Sequence, residues 1–70
     1  MGVHYVVFHD NIIKGIYDKS HDALIVAKKE FDKDEAYTCV VKFYDGTKRV
    51  KIFEKLEDGT TYEHFENIEV

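Results

Sequence analysis

The fold is decided by residues 36–68, which read AYTCVVKFYDGTKRVKIFEKLEDGTTYEHFENI. Three runs rich in β-branched and aromatic residues are separated there by two Asp-Gly pairs, Asp45-Gly46 and Asp58-Gly59. Asp-Gly between such runs favours the type I′ turn of a two-residue β-hairpin. The stretch therefore predicts three consecutive antiparallel strands, over residues 36–44, 48–56 and 61–68.

Two-residue loops would also decide which side chains share a face, because successive side chains of a strand point to opposite sides. They place Val41 opposite Val50 and Ile52 opposite Phe65. One face then becomes largely apolar and is predicted to form the core, under a helix. The predicted core face consists of Tyr37, Cys39, Val41, Phe43, Val50, Ile52 and Phe65.

The other side of these strands, termed the predicted outer face, mixes cations with aromatic rings. Its members are Val40, Lys42, Tyr44, Arg49, Lys51, Phe53, Lys55, Tyr62, His64 and Ile68. From these we select as candidate partner-binding residues Lys42, Tyr44, Arg49, Lys51, Phe53, Lys55, Tyr62 and His64.

The first half of the chain predicts a further hairpin. Residues 3–9 and 12–17 have strand composition, and Asp10-Asn11 between them tolerates the left-handed geometry of a tight turn. A two-residue loop pairs Phe8 with Ile13 and Val6 with Gly15. Glycine within a strand is typical of a bulge or of a close approach by another element.

A helix is predicted next, with Ser20 as its N-cap and residues 21–32 as its body. Its apolar side chains recur at helical spacing and should lie on one face: Ala23, Leu24, Ala27 and Phe31. Residues 33–35 read as a charged connection. The predicted order is β-β-α-β-β-β, an α+β fold with an antiparallel sheet and one helix packed on one face.

Composition limits the function classes. The 70 residues form one domain, since so short a chain buries only about 60% of its unfolded surface. Ten Lys and Arg against 14 Asp and Glu give a net charge of −4, which argues against strong non-specific binding to nucleic acid. The single cysteine excludes an internal disulfide and suits a reducing compartment. The longest apolar run, residues 23–27, is too short for a membrane span, so we expect a cytoplasmic protein without a membrane partner.

No pattern of catalytic or cofactor-binding residues is present. There is no Gly-rich phosphate loop and no Ser-His-Asp arrangement, and the four histidines have no metal-ligand spacing. Cys39, on the predicted core face, has no His or Asp placed to activate it and reads as a buried thiol. We therefore expect a non-enzymatic protein with no catalytic residue, no cofactor and no metal site.

Three interpretations of the predicted outer face stay open. It can be an ordinary solvated face with lysine stems packed on rings. It can bind another protein, since Tyr, Phe and Arg are enriched at interfaces. It can bind single-stranded nucleic acid, with rings stacking on bases and cations meeting phosphates. Because carboxylates such as Glu66 dilute the positive charge, a protein partner is favoured over nucleic acid.

Residues 4–31 resemble a pattern found in small accessory proteins of tailed bacteriophages. That pattern combines a strand, a turn, the motif I-x-G-hydrophobic-Y and a helix opening with Ser and carrying Ala. The matching positions are Ile13, Gly15, Ile16, Tyr17, Ser20 and Ala23. The resemblance implies a protein that acts on a host or phage macromolecule in the host cytoplasm. The leading hypothesis is a small protein-binding or regulatory module, and the alternatives are a nucleic-acid-binding module and a structural or homodimeric assembly protein.

Overall fold

The computed structural model describes residues 2–33 and 37–67. They form the predicted β-β-α-β-β-β order, and the α+β class is confirmed. The elements are β1 (His4–His9), β2 (Ile12–Tyr17), α1 (Ser20–Lys33), β3 (Thr38–Tyr44), β4 (Arg49–Lys55) and β5 (Thr61–Asn67). The predicted start of β3 at Ala36 and the predicted outer-face position of Ile68 lie outside the described residues.

All five strands belong to one antiparallel sheet with the order β2-β1-β3-β4-β5. The two predicted strand groups are thus joined by pairing of β1 with β3, which the turns alone do not determine. The helix α1 packs on one face of this sheet, chiefly on β3, β1 and β2. It leaves β4 and β5 less covered on that side. Among residues 2–33 and 37–67, no helix lies on the opposite side of the sheet.

The predicted apolar face of α1 forms the helical side of the core. Ala23, Ala27 and Phe31 are fully buried, and Leu24 is partly buried against them, as expected from the spacing. The strands contribute six buried side chains to this core: Tyr5, Val7, Cys39, Val41, Phe43 and Phe53. The predicted core positions of Cys39, Val41 and Phe43 are therefore confirmed.

The turn between β1 and β2 has the predicted two-residue geometry. Asp10 (φ 48°) and Asn11 (φ 71°) both adopt the left-handed backbone that a type I′ turn requires. His9 and Phe8 consequently pair with Ile12 and Ile13. Asp10 also ties the turn to β3, because its Oδ1 accepts hydrogen bonds from the backbone N–H (3.0 Å) and hydroxyl (3.2 Å) of Thr38.

Further along this hairpin, a β-bulge shifts the register by one residue. Val7, rather than the predicted Val6, pairs with Gly15, so Lys14 is the extra residue of β2. A Cβ atom on Gly15 would lie 2.8 Å from the hydroxyl oxygen of Tyr17. Gly15 thus lies beside a bulge, as predicted, whereas the group that approaches it closely is a side chain of its own strand and not another element.

The turn between β3 and β4 differs from the prediction. Val41 pairs with Lys51, not with Val50, so the loop is one residue longer than a two-residue turn. Only Gly46 of the Asp-Gly pair has a positive φ (92°), and Lys48 is also left-handed (φ 57°). Asp45 instead accepts hydrogen bonds through Oδ1 from the backbone N–H (3.1 Å) and hydroxyl (2.6 Å) of Thr47. This Asx-type turn makes Thr47 part of the loop.

The loop between β4 and β5 is also one residue longer than the predicted two-residue turn. Ile52 pairs with His64, not with Phe65. The N–H of Leu56 donates to the carbonyl oxygen of Thr60 (2.8 Å), and Asp58 Oδ1 accepts from the N–H of Thr60 (2.8 Å). The loop therefore comprises three residues, with Gly59 at φ 89°, the geometry of a type I turn followed by a glycine bulge.

These two one-residue shifts turn β4 over and leave β5 as predicted, because two shifts of one restore the alternation of faces. The predicted core positions of Val50 and Ile52 are wrong, since both lie on the side without the helix. Tyr37 is also not a core residue, because it is 62% exposed just before β3. Phe65 does lie on the helix side, but beyond the helix, and it is 47% exposed.

Candidate protein-binding surface

The side of the sheet opposite α1, termed the helix-free face, carries four of the eight candidate partner-binding residues. Strand alternation places Lys42 and Tyr44 there on β3, next to their β1 partners Val6 and His4. Tyr62 and His64 of β5 lie on the same side. These four residues are where the sequence placed them.

The other four candidate residues lie on the helix side instead, because β4 is turned over. They are Arg49, Lys51, Phe53 and Lys55. Phe53 is only 2% exposed and packs on the ring of Phe31 from α1. The Arg49 guanidinium lies over the rings of Phe43 (5.1 Å) and Phe65 (5.0 Å), and the Lys55 ammonium lies over Phe31 (5.3 Å). The prediction that all eight share one face is wrong.

The helix-free face is apolar at its centre as a result. Val50 and Ile52 of β4 lie there, at the positions predicted for Arg49, Lys51 and Phe53. The first hairpin continues the same surface toward the β2 edge, where Ile13 pairs with Phe8 and Ile16 pairs with Val6. The apolar members of the helix-free face are Val6, Phe8, Ile13, Ile16, Val40, Val50 and Ile52.

Two isoleucines of β2 are the most exposed part of this apolar surface. Ile13 is 58% and Ile16 is 65% exposed, whereas Val6 and Val50 are buried between their neighbours. The sequence-based prediction missed this contribution because the predicted outer face was assembled from the three strands of the second half alone. The available signal was that β1 reads HYVVFH, with apolar residues on both of its sides rather than in strict alternation.

Polar side chains surround the apolar centre. The Lys42 ammonium lies 4.8 Å from the centroid of the Phe8 ring, and the rings of His4 and Tyr44 are stacked at 4.9 Å. At the β5 edge, His64 Nε2 is 3.1 Å from a carboxylate oxygen of Glu66. An apolar centre with a polar rim is the usual composition of a protein–protein interface.

A second carboxylate also approaches the imidazole at this edge. The distance from His64 Nε2 to the nearest oxygen of Glu54 is 3.8 Å. The β5 end of the helix-free face therefore has acidic character, and Lys42 is the cation on its β3 row. This distribution does not form a continuous track for phosphates.

The thiol of Cys39 is fully buried on the opposite, helix-covered face, as predicted. Its Sγ donates to the backbone carbonyl oxygen of Ala27 (3.5 Å), and burial raises the pKa of the thiol to about 11. Among residues 2–33 and 37–67, no three His, Cys, Asp or Glu side chains are grouped so that they could hold a metal ion. Within the same ranges, α1 is too short and too polar to cross a membrane.

Comparison of the chain with protein-family models, with curated proteins and with solved structures finds no match.

Proposed function

We propose that this protein is a non-enzymatic protein-binding module and that the helix-free face is its binding surface. The observation that carries the proposal is the contiguous apolar surface that β2, β1, β3 and β4 present on the side without a helix. A partner for this surface presents apolar side chains of its own at the centre of the contact. The resemblance to phage accessory proteins extends the proposal to a host or phage protein as that partner.

The physical argument is the composition expected of a solvated sheet. An antiparallel sheet that faces water on one side normally alternates apolar residues toward the core and polar residues toward solvent. Here the solvent side carries Ile13, Ile16, Val40 and Ile52, whose burial in an interface would each be worth up to about 1.5–3 kcal/mol. Exposed contiguous apolar surface of this kind is typical of an interaction site.

Nucleic acid is less well supported as the ligand of this face. Arg49, Lys51 and Lys55 are on the other side of the sheet, and Lys42 already lies over the ring of Phe8. The carboxylates of Glu54 and Glu66 lie at the β5 edge and would repel phosphates. A protein partner with an apolar centre agrees better with these charges.

The test compares two exposed isoleucines of the same strand. Ile16 (65% exposed) lies on the helix-free face, and Ile12 (64% exposed) lies on the other side of β2. A photo-crosslinker at Val40 identifies the partner in host lysate treated with nuclease, and the purified partner is then titrated by calorimetry. Ile16→Lys should weaken its binding by about tenfold to a hundredfold, and Ile12→Lys by less than about threefold.

The same variants test self-association, which is measured by sedimentation equilibrium of the purified chain. A homodimer lost in Ile16→Lys but kept in Ile12→Lys would make a second copy the partner. Equal effects of the two substitutions, or binding abolished by nuclease, would contradict the proposal. Both variants should retain the wild-type circular dichroism spectrum, since both side chains are exposed.

A further inference from the structure

A groove of about 410 Å³ lies on the helix side of the sheet, between α1 and the β4–β5 hairpin. It exists because α1 packs mainly on β1, β2 and β3, so the neighbouring part of the sheet has no helix above it. The groove, termed the helix–hairpin groove, faces away from the helix-free face. A ligand bound in it would not compete with a partner bound there.

The floor of the helix–hairpin groove is apolar. Leu24 and Ile25 line it from α1, and Phe53 lines it from β4. Ile25 is 44% exposed, whereas the ring of Phe53 is buried. The floor therefore accepts an aliphatic or aromatic side chain, and its one ring, that of Phe53, is not open to stacking by a nucleic acid base.

The rim of the groove is cationic, although the protein as a whole has a net charge of −4. Lys28 and Lys29 contribute from α1 and Lys51 from β4. The side chain of Lys51 is only 17% exposed, and its ammonium lies over the rings of Phe53 (5.6 Å) and Phe65 (4.6 Å). These contacts hold Lys51 in place, so its charge is directed to the groove before any ligand binds.

A carboxylate of the protein itself, that of Glu63, lies between two lysines of the rim. Glu63 of β5 receives Lys28 at one oxygen (Nζ to Oε2, 2.9 Å) and Lys51 at the other (Nζ to Oε1, 3.4 Å). The hydrogen bond from Lys28 is the main reason why the pKa of Glu63 is lowered. Two ammonium groups on different elements thus converge on one carboxylate at the edge of an apolar groove.

We propose that the helix–hairpin groove binds an acidic peptide segment of a partner protein. An apolar side chain of the peptide enters between Leu24, Ile25 and Phe53, and a flanking carboxylate replaces that of Glu63 between Lys28 and Lys51. Glu63 is then an internal competitor that occupies the anion position in the free protein. This site is separate from the helix-free face and does not depend on the function proposed for it.

The test measures fluorescence anisotropy of a short fluorescein-labelled peptide in which a leucine pair is flanked by glutamates. Control probes are the same peptide with glutamines for glutamates, the same peptide with glycines for leucines, and an oligothymidylate of equal charge. The acidic leucine peptide should bind most tightly of the four. Lys51→Gln should weaken its binding by about fivefold to tenfold, because a charge-assisted contact is lost.

The decisive variant is Glu63→Gln, which should strengthen binding of the acidic peptide by about threefold or more because it removes the competing carboxylate. A purely structural role of the Lys28–Glu63–Lys51 contacts predicts weaker binding instead. Lys14→Gln removes the same charge from the exposed bulge of β2 and should change binding by less than about twofold. The Ile16→Lys variant should also bind the peptide normally, which separates this site from the helix-free face.

Several results would overturn the proposal. One is an oligothymidylate that binds more tightly than the acidic peptide, which would make the groove a nucleic-acid site. Another is equal weakening by Lys51→Gln and Lys14→Gln, which would mean non-specific attraction. Unchanged or weaker binding in Glu63→Gln, with the fold intact by circular dichroism, would exclude the competition between the two carboxylates.

Discussion

The turn at Asp10-Asn11 and the turn at Asp45-Gly46 look equivalent in sequence but have different geometry. In the first, both residues are left-handed, and the loop has the two residues of a type I′ turn. In the second, Asp45 keeps a negative φ and its carboxylate accepts hydrogen bonds from Thr47, so that Gly46 is the left-handed residue of the pair, and Lys48 beyond it is left-handed as well. The second loop is therefore one residue longer.

Both longer loops share a hydrogen bond between the aspartate and the threonine that follows the glycine. Both later turns read Asp-Gly-Thr, and in both the aspartate accepts a hydrogen bond from the threonine N–H. In the first turn, Asp10 directs its carboxylate across to Thr38 of β3 instead. A hydrogen bond from the threonine N–H to the aspartate carboxylate competes with the type I′ geometry. The comparison teaches that the residue after Asp-Gly needs to be considered before a register is assigned.

The largest expected effect separates the observed register of β4, with three-residue loops, from the predicted register, with two-residue loops. Two neighbouring residues of β4 serve for the comparison. Phe53→Ala should lower the free energy of unfolding by about 3–5 kcal/mol, because Phe53 is a buried core residue. Ile52→Ala should cost about 1–2 kcal/mol, because Ile52 lies on the open side of the sheet. Urea denaturation followed by circular dichroism measures both.

The two-residue loop would reverse this order, so a larger loss in Ile52→Ala than in Phe53→Ala would refute the observed register. Because a chain this short can lose its fold entirely, Phe53→Leu provides a milder comparison. It should cost less than Phe53→Ala, because it removes fewer buried atoms.

A smaller effect tests the backbone difference between the turns. Gly46→Ala should cost about 1–2 kcal/mol, because Gly46 has φ 92° and a Cβ atom there would meet no neighbour, so the cost comes from the backbone alone. Asn11→Gly should change stability by less than about 0.5 kcal/mol, because relief of the left-handed asparagine is offset by the flexibility of glycine. Thermal denaturation is the measurement.

Gly2→Ala is the matched control for Gly46→Ala, since a Cβ atom at Gly2 also meets no neighbour and no left-handed backbone is required there. It should be neutral or slightly stabilising. Equal effects of the two alanine substitutions would mean that the left-handed glycine does not hold the longer loop.

The smallest effect is the dependence of stability on acid. Hydrogen bonds from Thr47 lower the pKa of Asp45, and those from Thr38 lower the pKa of Asp10. A carboxyl group with a lowered folded pKa stabilises the fold above its unfolded pKa, near 3.9, and loses that contribution as pH falls through the folded value. Stability should therefore decline as the pH falls below about 4.

Asp45→Asn and Asp10→Asn should each flatten this decline, which urea midpoints measured across the acid range would reveal. The turn whose substitution flattens it more is the one held more strongly by its carboxylate. If neither variant differs from wild type in slope, the aspartate hydrogen bonds do not contribute to the stability of the turns.

Much of the fold could be predicted because local chemistry dominates it. Strand composition located all five strands, and helical spacing identified Ala23, Ala27 and Phe31 as the buried face of α1. The candidate surface was predicted only in part. Lys42, Tyr44, Tyr62 and His64 lie on the helix-free face, whereas Arg49, Lys51, Phe53 and Lys55 do not, because their strand depends on loop lengths that differ by a single residue.

The missing part of the surface could not be found from the turns. Ile13 and Ile16 belong to a hairpin far from β4 in sequence, and they join Val40 and Ile52 only because β1 pairs with β3. The helix–hairpin groove is likewise a product of three elements, since Lys28, Lys51 and Glu63 come from α1, β4 and β5. No short-range pattern brings such residues together.

The sequence by itself determined the elements, their order and the buried side of the helix, because these follow from spacing and composition within short segments. Tertiary structure alone decided which way β4 faces. Its alternating cations and apolar residues, RVKIFEK, allow either side to be buried, and the three-residue loops selected the one in which Phe53 meets Phe31. A one-residue change in loop length inverts every side chain of a strand, so the composition of the helix-free face depends on the turns more than on the strand itself.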